Sequence, residues 1–202
     1  MEKIFFVCHG KTELHFVEYI ASTCRIPIEF IAKKSGRSSI QINMLNSTLS
    51  KEIERGKLRP SNLNEYDDIY VLMLMDLDEL REMPDGSNLL HLEQPYKDGT
   101  LLTEDENLIQ DKRIHYLTFY NDANMEDVLA RTEITVPEMK RDIQKIFPLQ
   151  EEVESNDNSP SEELPIAFKG IGYVRDQFAL LGEEVTTVPQ LINFLLDRRK
   201  IL

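Results

Sequence analysis

The segment DIYVLMLMDLDEL, residues 68–80, carries an apolar run that ends in three carboxylates, Asp76, Asp78 and Glu79. In an extended chain, side chains two residues apart point to the same side. Asp76 and Asp78 would then project together, with Cα atoms roughly 6–7 Å apart. Two carboxylates that close repel unless a cation lies near them. A hard cation such as Mg²⁺ takes oxygen ligands of this kind. A solvated strand end followed by an acidic loop has the same spacing, so the Asp-x-Asp pattern needs company before it reads as a site.

Two further segments supply company. VCHGKTELHF (7–16) places His9 and Gly10 directly after an apolar stretch, with Glu13 in the first turn of the helix that follows. Gly10 suits a turn, and Glu13 also suits the helix dipole. TFYNDANMEDVL (118–129) is another apolar stretch that ends in polar residues, Asn121, Asp122 and Asn124, with Glu126 at the start of a helix. Asn124 as an N-cap, with acids in the first turn, is an ordinary helix start.

The elements that must position these residues alternate. KIFFVC (3–8) is a short buried strand, and residues 12–24 form a helix with Thr12 as N-cap. Residues 26–34 alternate like a strand, and residues 40–56 repeat Ile42, Leu45, Leu49 and Ile53 at helical spacing, with Ser38 or Ser39 as cap and Gly56 as stop. Residues 69–75 are a continuous apolar run of strand length, as in a central parallel strand covered on both faces. Residues 101–112 read as a weak helix or part of a long loop, and 114–120 as the next strand. Helices follow at 124–132 and 137–147, and two more close the chain. Strands alternating with helices predict an α/β fold, a mainly parallel sheet flanked by helices with a helical C-terminal extension. In such sheets ligands sit beyond the carboxyl ends of the strands, where Asp76 and Asp78 lie.

The 202 residues suit one domain. The organisation expected is an α/β domain over 1–150, an acidic flexible loop over 151–163 and C-terminal helices over 164–202 packing on the same domain. The loop carries Glu151, Glu152, Glu154, Asp157, Glu162 and Glu163 with no Lys or Arg and no aromatic residue. It accounts for much of the net charge of −13, which argues against a protein that simply coats nucleic acid. No apolar run approaches the roughly 20 residues of a membrane span. The N-terminus lacks a signal-peptide pattern, and two cysteines, Cys8 and Cys24, make no disulfide framework. A reduced, cytoplasmic location is the expectation.

Together, VCHGKTE, VLMLMDLDE and TFYNDANMEDVL resemble the motifs of the Toprim fold, in the small stand-alone versions found in bacterial anti-phage defence, similar to OLD-family and RloB-like nuclease domains. The resemblance spans residues 3–132. It rests on loose motifs whose order and position at strand ends carry the weight. It implies a Toprim-like (Rossmann-like) sheet and a divalent-metal-dependent nuclease. Asp76 and Asp78 would be the principal Mg²⁺ or Mn²⁺ ligands, Glu126 or Glu79 supporting ligands, and Glu13 or His9 the base. Lys11, Lys33, Lys34, Arg37 and Lys169 are the candidate contacts to a nucleic-acid backbone; most such cations are ordinary solvated charges.

One departure matters. The Glu that precedes Gly in the family is His9 here. Imidazole is a base near neutral pH but suits Mg²⁺ poorly. Three outcomes stay open: His9 takes the base role, Glu13 moves in as ligand, or catalysis is lost and the fold kept. The competing function is therefore a degenerate Toprim binding module that docks on a partner such as an ATPase. A receiver-like domain ranks last, because the strand at 114–120 lacks the Lys such a site needs.

Overall fold

The computed structural model describes residues 1–31, 39–81, 88–134, 146–147 and 170–199. Most of the predicted helix at 137–147 and all of the acidic stretch 151–163 lie outside the described residues, as do Lys33, Lys34, Arg37 and Lys169.

Four strands form an all-parallel sheet flanked by helices: β1 (Glu2–Cys8), β2 (Ile28–Ile31), β3 (Asp68–Asp76) and β4 (Ile114–Asn121), in the order β2-β1-β3-β4. The described helices are α1 (Lys11–Cys24), α2 (Leu45–Arg55), α3 (Glu93–Lys97), α4 (Thr100–Thr103), α5 (Met125–Ala130), α6 (Ile171–Ala179) and α7 (Val188–Arg198). The α/β architecture expected from the alternation is the one observed.

The two inner strands are the ones with unbroken apolar sequence. β1 is buried from Ile4 to Cys8 and β3 from Val71 to Asp76, because each has a strand on either side and cover on both faces. The outer strands β2 and β4 mix buried and half-buried positions. β1 and β3 run in register from Glu2 opposite Asp68 to Cys8 opposite Leu74. From β1 the sheet grows towards β2 on one side and β3 on the other. The strand order therefore reverses between β1 and β3, and their carboxyl ends form the topological switch point at which open α/β sheets bind ligands. At the β2 edge, Lys57 Nζ donates to the Phe30 carbonyl at 2.7 Å, and Glu29 pairs with Lys3 and Lys57. Charges of this kind guard an edge strand against stray pairing.

Contacts divide the chain into two units. The first comprises Met1–Gly10 and Ile28–Tyr120; the second comprises Lys11–Pro27 and Asn121–Leu202. The first holds the sheet and a core of Phe5, Val7, Leu45, Leu49, Val71, Met73 and Tyr96, among others. In the second, Phe16 packs edge-on to Phe147 at 5.0 Å and beside Phe178 at 5.7 Å, and Tyr19 also meets Phe147.

Several local expectations shift. α1 starts at Lys11, so Thr12 lies inside the helix and is not its N-cap. α2 begins with a 3₁₀ turn over Ile42–Met44, and neither this turn nor α2 has a side-chain cap. Ser39 is therefore not the cap, and Ser38 lies outside the described residues. Gly56 does end α2. Of residues 101–112, only the four-residue α4 is helical, and Gly99 precedes it at φ +78°, a conformation that favours glycine. Among the described residues no helix is long and apolar enough to cross a membrane.

Candidate functional site at the strand ends

In the first unit, β3 stops at Asp76 and the chain winds at once into a 3₁₀ turn, Leu77–Leu80. This corrects the extended-chain geometry: the rule that residues two apart share a side applies to a strand, and Asp78 lies in the turn. Asp76 is 5% exposed and Asp78 half-buried. Leu77 and Leu80 of the turn are buried in the core, which explains why the strand cannot simply run on into solvent.

The turn presents Glu79 to His9. His9 Nε2 lies 3.1 Å from Glu79 Oε1, and His9 Nδ1 lies 3.1 Å from the Ile40 carbonyl. The backbone completes the clasp, with the Ile40 N–H donating to the His9 carbonyl at 3.1 Å. His9 is 6% exposed, so these contacts are sheltered from water. A carbonyl only accepts, so Nδ1 carries a hydrogen. Both ring nitrogens are thus engaged, and His9 is held where a free base or a metal ligand would need an open nitrogen. The other carboxylate oxygen, Glu79 Oε2, is buried with no hydrogen-bond partner among the described residues.

Tyr96 stands behind Asp76. Its hydroxyl reaches the Phe119 carbonyl at 2.8 Å and the Met73 carbonyl at 3.3 Å, so one buried group ties β4 to β3 near their ends. Burial pushes its phenol well above the usual range. The Asp76 carboxylate pushes further the same way, and the bond to Phe119 opposes both.

The second unit carries the other motif residues. Glu13, in the first turn of α1, is 3% exposed. Its neighbour Thr12 donates to Glu126 Oε1 at 2.6 Å, which joins the first helix to α5. Glu126 itself is exposed, and Lys11 is exposed at the start of α1. Asn124 caps α5 as its type suggests, accepting from the Asp127 N–H at 2.9 Å. Beside it, Asn121 pairs with Thr186 through a 2.8 Å side-chain bond and an antiparallel bridge.

Among the described residues no three His, Cys, Asp or Glu side chains come together in a group able to hold a metal ion. Two participants escaped the sequence reading. Tyr96 sits in a stretch with no clear periodicity. The Ile40 carbonyl is backbone, for which residue type gives no signal.

Comparison with known proteins finds no matching family model, no similar curated protein and no similar solved structure.

Proposed function

We propose that this chain is a Toprim-like α/β module whose strand-end acidic site serves recognition and not turnover: a domain of a bacterial defence system that docks on a partner protein. An ATPase is the class of partner that the resemblance implies. The observation that carries this reading is the engagement of His9, whose two ring nitrogens are committed to Ile40 and Glu79. A base in phosphodiester hydrolysis must reach the proton it removes, and His9 as placed has no nitrogen to offer. The net charge of −13 adds support, since an acidic surface repels a phosphate backbone and favours a partner with a basic face.

A metal-dependent phosphodiesterase acting on DNA or RNA is the second reading. It is favoured by the burial of Asp76 at the switch point of the sheet. Bound Mg²⁺ or Mn²⁺ would supply phosphate polarisation and an activated water. It requires the strand-end acids to gather around the ion. The test is cleavage of labelled DNA and RNA by the purified chain with Mg²⁺ or Mn²⁺. The docking reading expects no metal-dependent product. Cleavage that disappears in Asp76→Ala would replace it with the second reading.

A further inference from the structure

We draw no further inference here: the strongest candidate, the outer edge of β4 at the end of the sheet, where residues 114–120 carry no Lys, Arg, Asp or Glu of the kind that guards β2, carries no proposal because nothing among the described residues shows what covers it.

Discussion

The Thr12 hydroxyl donates to Glu126 Oε1 at 2.6 Å, joining two segments that are 114 residues apart in the chain. Both were singled out in the sequence as polar stretches that follow a strand and open a helix, and the fold makes them partners across α1 and α5. Glu126 is exposed, so water competes for the bond. Thr12→Val should cost about 0.5–1 kcal/mol in urea unfolding, in the range of a typical net hydrogen bond. Glu126→Gln, which keeps an acceptor oxygen, should cost less.

The Asn124 cap gives a second prediction. Its side chain satisfies the Asp127 N–H at the start of the six-residue α5, a helix too short to persist without tertiary support. Asn124→Ala should destabilise the chain by about 1 kcal/mol. Asn124→Asp should be close to neutral, since Asp accepts the same bond.

Tyr96 yields a third. Its hydroxyl serves carbonyls on two strands from a fully buried position, and Tyr96→Phe should cost about 1–2 kcal/mol by urea unfolding.

The same residue sets an alkaline limit. Burial raises the phenols of both Tyr96 and Tyr116 above their ordinary range. The folded state therefore holds these protons more tightly than the unfolded chain. Their contribution to stability is present in full below the unfolded pKa of about 10 and is lost as pH rises above it. Unfolding free energy should fall above about pH 10, and the slope should be shallower in Tyr96→Phe and Tyr116→Phe. An unchanged slope in both would show that these phenols do not carry it.

Much of the fold was legible because burial on both faces writes itself as uninterrupted apolar sequence. β1 and β3 are plain for that reason, and Asp76 was visible as the polar break at the end of β3. Less clear were elements whose limits depend on partners. The reading of β2 starts at Ile26, whereas the strand starts at Ile28 after Pro27, and residues 32–34 of that reading lie outside the described residues. The 3₁₀ turn after Asp76 was not foreseen: Leu77 and Leu80 bury by packing into the core, which spacing does not reveal. His9 stands out in the sequence by its place directly after the first strand. Its pairing with Glu79 does not, since nothing in either neighbourhood says which distant acid the ring will meet.

The most direct measurement is a calorimetric titration of the wild-type chain with Mn²⁺ at neutral pH. If the strand-end site serves recognition and not metal-dependent turnover, no saturable binding heat should appear, and Asp76→Ala should behave like the wild type. Saturable one-site binding in the wild type that Asp76→Ala abolishes would contradict the account.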